Sequence, residues 1–183
     1  FTLGGNAAAY GASTNSGLGW AYKADNGFAV SSNLVSKQNG TTNGFLTKES
    51  SHSWANQIGY TQDRYSVSAI VNYKYNGWVD DYFSTTNGFA RSSVSGSPAS
   101  DSTNIGLRAW LRPEESGSAM PSISVGYDTS DIQYGADTVD STDMYFVGLG
   151  WADIIQADDK IGVAFGQPQT REDETTDPFA WEA

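Results

Sequence analysis

Arg108 and Arg112 stand four residues apart in IGLRAWLRPEES. On an extended chain both project from the same face, roughly 13 Å apart. Two guanidiniums on the wall of a water-filled passage would favour anions locally, because fixed charge at a constriction sets ion preference. Alternatively, each arginine pairs with a carboxylate of the wall or of a loop and only shapes the interior. Glu114 and Glu115 adjoin in the next stretch. They point apart on an extended chain and do not make the facing acid/base pair of a glycosidase. The single histidine, His52, sits in a polar stretch, and the chain has no cysteine to complete a metal site with it. No nucleophile elbow surrounds any serine, and no glycine loop is built to cradle phosphate. The residue types therefore point away from catalysis, cofactors and a metal centre.

Acidic residues gather elsewhere: Asp80 and Asp81; Asp137, Asp140 and Asp143; Glu172, Asp173, Glu174 and Asp177. Such clusters concentrate cations near a mouth or supply oxygen ligands to calcium, although none has a defined calcium-loop spacing. Solvated loops are the plainer alternative. The motif TTNGF occurs twice, at 41–45 and 85–89. Its Asn-Gly favours a turn, and its Phe is a candidate to tuck into a barrel mouth. The whole chain carries a formal charge of −11 with a pI near 4.2, which excludes nucleic acid as a natural partner.

These groups must be positioned by strands. The stretch YSVSAIVNYKYNGW (65–78) changes face at every step, with Tyr65, Val67, Ala69, Val71, Tyr73 and Tyr75 on one side. Ser66, Ser68, Asn72 and Lys74 fall on the other, with Ile70 as the exception. A period of two is a strand with one apolar and one polar face. The same alternation recurs over 18–23, 28–35, 54–60, 104–112, 122–128, 144–151 and 160–166, and a ninth strand begins near Phe179. Only WADIIQADD (151–159) has the makings of a helical turn. Twenty glycines and 13% aromatic residues suit strands and turns. No apolar run reaches the length of a membrane helix, but barrels hide their apolar residues at alternate positions.

The connections add a second pattern. ADNG (24–27), QDR (62–64), 112–121 and 152–159 are short or moderate. The stretches 36–52, 77–102, 129–143 and 167–178 are long and polar. Strict alternation puts all short links at one end of the sheet and all long ones at the other, as in an outer-membrane barrel. The expected fold is all-β, an antiparallel up-and-down transmembrane β-barrel in a single region spanning 1–183. Lipid-facing candidates are Val67, Val71, Ile105, Leu107, Val125, Val147, Leu149 and Val163. The aromatic girdle is expected from Trp20, Tyr22, Trp54, Tyr60, Tyr65, Tyr75, Tyr127, Tyr145 and Trp151. Pore-lining candidates are Lys23, Gln57, Asn72, Lys74, Asn104, Arg108, Arg112, Asp128 and Lys160. The glycines of that polar face suit a wide, wet lumen, since small barrels must fill theirs with side chains.

NGFLTKES (43–50), DRYSVSAIVNYKYN (63–76), TNIGLRAWLRPEESGSAMPSISVGYDTS (103–130), YFVGLGWADIIQADDKIGVAFGQP (145–168) and DPFAWEA (177–183) resemble the cyanobacterial outer-membrane porins. This family is often labelled iron-uptake or carbohydrate-selective. RPEESG, SVGYDTS and QADDKIGVAFGQP are the most specific stretches, and the likeness is weaker over the first forty residues. The resemblance implies a barrel of about sixteen strands, of which eight or nine, roughly half, lie here. It also implies an N-terminal surface-layer domain and further strands that this sequence lacks. The chain starts at Phe1 without the charged and apolar regions of a signal peptide. It is expected to be either a processed chain or an internal piece.

The expected function is that of a porin, an aqueous channel for passive diffusion of small hydrophilic solutes or inorganic ions across the outer membrane. Its partners would be outer-membrane lipid and, by family analogy, two further copies in a homotrimer. Two alternatives stand beside it. One is a secreted, soluble β-sandwich acting as a carbohydrate-binding or adhesion module, in which Val67, Val71, Ile105, Leu107, Val125 and Val147 would converge in a dry core. The other is a structural envelope protein with a blocked pore.

Overall fold

Among the described residues the chain forms nine strands, most of them with apolar residues at alternate positions: β1 (Ser16–Lys23), β2 (Phe28–Lys37), β3 (Ser51–Thr61), β4 (Tyr65–Tyr75), β5 (Ala99–Leu111), β6 (Ser122–Tyr134), β7 (Ser141–Ala152), β8 (Lys160–Arg171) and β9 (Ala180–Glu182). The computed structural model describes residues 9–10, 16–37, 47, 50–75, 99–134, 141–171 and 179–183. Chain order is also spatial order. The strands make one sheet, β1 to β9, and every neighbouring pair is antiparallel. The sheet is not closed: among the described residues β1 and β9 are its two edges. No second sheet covers either face among these residues, which departs from the layered arrangement of a sandwich.

The register turns nine separate alternations into two continuous faces. Tyr22, Val30, Ile58, Ala69, Leu107, Tyr127 and Tyr145 form one row across seven strands. Next to it run Val67, Ala109, Val125, Val147, Phe165 and Trp181. A slip of one residue in any strand would flip its side chains to the other face. The opposite face carries rows such as Asn72–Asn104–Ser130–Thr142 and Ser68–Arg108–Gly126–Phe146.

The two faces differ in burial. Asn72, Lys74, Asn104, Asp128, Ser130 and Thr142 are buried, while Leu18, Trp20, Ile58, Val67, Leu107, Val125 and Trp181 are exposed. A covered polar face beside a wide bare apolar one is the informative departure from ordinary burial.

Two sequence expectations change here. The stretch 151–159 forms no helical turn: β7 runs on to Ala152, and 153–159 is an irregular link with Asp153 and Asp158 at positive φ. The 129–143 stretch is mostly strand. β6 continues to Tyr134 and β7 begins at Ser141, leaving a link of six residues, 135–140. That link and the one between β8 and β9, 172–179, are both shorter than 112–121, so the alternation of short and long links fails at these two points. Thr129 and Asp131 read as loop residues because their face, apolar elsewhere, is polar here. Their neighbours Ser130 and Ile132, on the opposite face, are buried, and the backbone pairs throughout.

The links that join strands at the β1–β2 turn end are tied into a rim. Gly27, at φ 92°, closes the first turn by donating its N–H to the Ala24 carbonyl at 3.1 Å. The Gln62 amide donates to the Asn26 carbonyl at 2.8 Å. Arg64 pairs with Glu114 at 3.2 Å, and the Arg112 N–H donates to the Arg64 carbonyl at 2.7 Å. The Gly117 N–H reaches the Ala152 carbonyl at 2.9 Å, and the Trp151 indole reaches the Ala119 carbonyl at 3.0 Å.

Candidate functional site: the polar face

Among the described residues, a dense set of interacting groups lies on the polar face around Arg108. In register Arg108 sits opposite Gly126, and Asp128 sits opposite Gly106, so the two charged residues are diagonal neighbours on β5 and β6. Their side chains meet in a two-pronged pair, Nη1 to Oδ1 at 2.9 Å and Nη2 to Oδ2 at 2.6 Å. This geometry is the strong form of an arginine–carboxylate contact. Arg108 also donates to the carbonyls of Leu107 and Tyr127, at 2.8 and 3.3 Å. Of the two alternatives the sequence left open, the paired one describes Arg108.

Two aromatic rings flank the guanidinium. Tyr10 lies 4.9 Å from it and Phe146 lies 5.3 Å from it, both within cation–π range. Tyr10 belongs to no strand. The Ala9–Tyr10 turn is held against the sheet by the Asn72 amide, which donates to the Ala9 carbonyl at 3.2 Å. Burial pushes the Tyr10 phenol above its ordinary pKa, opposed by the Arg108 charge and by a hydrogen bond with Ser68. The phenol is therefore neutral at neutral pH.

Gly106 and Gly126 make room for this cluster. A Cβ on Gly106 would lie 2.6 Å from Asp128 Oδ1 and 2.8 Å from Tyr10 Cε2, and one on Gly126 would collide with the Phe146 ring. At these two positions glycine admits side chains that lie across the sheet rather than leaving empty space.

The other candidates for this face are spread over it. Asn72, Lys74 and Asn104 are buried in the half toward the 76–98 link. The Asn104 amide donates to the Asn72 carbonyl and to Ser102 Oγ, and Ser53 Oγ donates to Asn72 Oδ1. Lys74 is flanked in register by Ser53 and Ser102. Gln57 is half-buried, whereas Lys23 and Lys160 are exposed at strand ends. Arg112 lies just beyond β5, its guanidinium 4.4 Å from the Trp110 ring, so it belongs to the rim and not to the Arg108 cluster.

The opposite face holds Val67, Val71, Ile105, Leu107, Val125, Val147, Leu149 and Val163 together. Its aromatic residues make local clusters, Trp54 with Tyr73 at 5.9 Å and Tyr60 with Tyr65 at 6.1 Å. Its central polar residues satisfy one another. Trp54 Nε1 donates to Ser32 Oγ at 2.9 Å, and Ser32 Oγ donates to Asn56 Oδ1 at 2.8 Å.

His52 is a strand residue of β3 and not a loop residue, in contact with Ser36 Oγ at 3.1 Å and the Thr47 carbonyl at 3.1 Å. Among the described residues no three of His, Cys, Asp and Glu gather as metal ligands. Asp80, Asp81, Asp137, Asp140, Glu172, Asp173, Glu174, Asp177 and both TTNGF stretches lie outside the described residues.

Sequence reasoning missed Tyr10 entirely and gave Phe146 no role. The alanine-rich NAAAYGAS has no periodicity to place it. Phe146 had a signal, as a large ring on a face where its cross-strand neighbours Gly126 and Gly166 are bare.

The fold is thus a single antiparallel up-and-down β-sheet with one polar and one apolar face. Comparisons with protein-family models, curated proteins and solved structures returned no match.

Proposed function

We propose that this sheet is part of a transmembrane β-barrel in an outer membrane, and that the barrel is a porin. It would pass small hydrophilic solutes or inorganic ions down their gradients, with the Arg108 face toward water and the Val125 face toward lipid. The observation that carries this reading is the bare apolar face shared by all nine strands of one sheet. In water such a face would be a large aggregation-prone patch. In a bilayer it matches the outward apolar band of a barrel.

The aromatic positions add a geometric argument. Trp54 and Tyr60 on β3 are six residues apart, as are Tyr145 and Trp151 on β7. Tyr145 shares its row with Ile58, four residues from Trp54, so both aromatic levels shift by four residues over the four steps from β3 to β7. One residue per strand, at about 3.3 Å rise and about 4.8 Å spacing, corresponds to a tilt of roughly 35°. Membrane barrels tilt their strands by about 35–45°. At that tilt the two levels stand about 16 Å apart on β3 and β7, and Tyr65 and Tyr75 about 27 Å apart on β4. These values bracket the band of about 25 Å typical of outer-membrane barrels. The resemblance of RPEESG, SVGYDTS and QADDKIGVAFGQP to cyanobacterial porins points the same way.

Planar-bilayer recording under a salt gradient tests the proposal, using the protein as isolated from its source membrane. Discrete, near-ohmic steps are expected. Silence from protein confirmed to be inserted would overturn the open-channel reading and favour a structural envelope role. A nitroxide at Val71 separates lipid from a dry protein core, since an apolar quencher in the bilayer reaches it only in the barrel.

A further inference from the structure

The Ala9–Tyr10 turn is the one described non-strand segment that leans on the polar face between the sheet's ends. Ala9 is 1% exposed, and its carbonyl takes the Asn72 amide. The Tyr10 ring lies over the bare backbone of Gly106, with Cε2 2.8 Å from where a side chain would begin. From there it covers Arg108, whose other flank faces Phe146 and whose polar tip is engaged by Asp128. Three groups therefore converge on a single cation. Asp128 holds the guanidinium on one side, and the two rings limit approach to the rest of it.

We propose that Tyr10 is a conductance- and selectivity-setting residue of the lumen, acting as a cap on Arg108. The proposal rests on the porin reading above. A ring projecting from the wall narrows the passage by its own bulk. It also replaces an accessible guanidinium, which would draw anions, with a neutral aromatic surface. A permeating ion at this level meets a paired charge behind two rings, and the exposed Lys23 and Lys160 nearer the strand ends carry more of the selectivity.

Single-channel recording under a salt gradient, on wild type and on Tyr10→Ala, Tyr10→Leu and Tyr10→Phe, tests this. Tyr10→Ala is expected to raise unitary conductance and to move the zero-current potential toward anion preference. Tyr10→Leu keeps apolar bulk but no π face, so it should shift the potential with little change in conductance. It also serves if Tyr10→Ala does not insert. Tyr10→Phe keeps the stack and should match wild type on both readouts. Wild-type steps with an unchanged Tyr10→Ala channel would overturn the cap and leave the porin reading standing. A Tyr10→Phe channel that behaves like Tyr10→Ala would overturn it too. A silent wild type with a conducting Tyr10→Ala channel would support the cap as a complete plug. Silence from both, once inserted, would overturn the porin reading and the cap with it.

Discussion

Gly126 and Phe146 are cross-strand partners, and the Phe146 ring occupies the space that a side chain on Gly126 would need. The ring reaches across the bare backbone to lie 5.3 Å from the Arg108 guanidinium. Gly126→Ala must therefore move the ring, and a small-to-large change at a packed site costs about 1–3 kcal/mol. Gly150 lies on the same face with only the Ile161 carbonyl at 4.0 Å from its would-be Cβ. Gly150→Ala should stay within about 0.5 kcal/mol of wild type. Urea unfolding of both variants in the same lipid or detergent checks the contrast.

Arg108 and Asp128 form a partly buried pair, with side chains 20% and 6% exposed. Removing one partner strands the other, at a cost of about 3 kcal/mol for a buried pair. Asp128→Ala alone should therefore destabilise more than the double variant Arg108→Met with Asp128→Ala, which leaves no orphan charge. A double-mutant cycle by unfolding measures the coupling. Equal losses for the single and double variants would mean that water, and not Asp128, already satisfies Arg108.

What the sequence made legible follows from contrast between faces. In Tyr65–Tyr75 large apolar residues alternate with serines, asparagine and lysine, so the strand and its apolar side could both be read. In Ala99–Ser102 and Thr129–Gln133 both faces are largely polar. No hydrophobic period marks those turns of strand, and they read as loop. Which polar groups meet was not legible either. Arg108 and Asp128 are diagonal neighbours only because Gly106 pairs with Asp128 and Gly126 with Arg108. That register is a property of the paired sheet and of no single strand. Tyr10 is further removed still, since its place depends on the slot that Gly106 leaves.

Val125 and Thr129 lie on the same strand and the same face, four residues apart, and in a bilayer they would sit at different depths. Val125→Arg should cost about 2–4 kcal/mol near the midplane, whereas Thr129→Arg should cost about 1 kcal/mol or less near an interface. In water both are surface changes worth about 0.5 kcal/mol at most. Folding free energies measured in vesicles and compared across the two positions decide between the environments. Equal, small effects at both would argue that the apolar face does not meet lipid.

Asp159 organises the link between β7 and β8. Its carboxylate accepts the N–H groups of Ile154 at 2.9 Å, Ile155 at 2.9 Å and Gln156 at 3.0 Å. These bonds, that of Gln156 foremost, hold its carboxyl below the ordinary carboxylate pKa. A lowered pKa in the folded state contributes stability above the unfolded value, near 3.9, and loses it as pH falls through the folded value. The link should therefore hold its form from neutral pH down to about 4 and loosen only below that. Asp159→Asn removes the charge that strengthens all three bonds. Its amides at 154–156 should lose hydrogen-exchange protection already at neutral pH, after correction for intrinsic exchange. Wild type should lose the same protection only in acid. Unchanged protection in Asp159→Asn would mean that the positive-φ residues Asp153 and Asp158, joined by the Asp158 N–H to the Asp153 carboxylate at 2.6 Å, shape the link without help from Asp159.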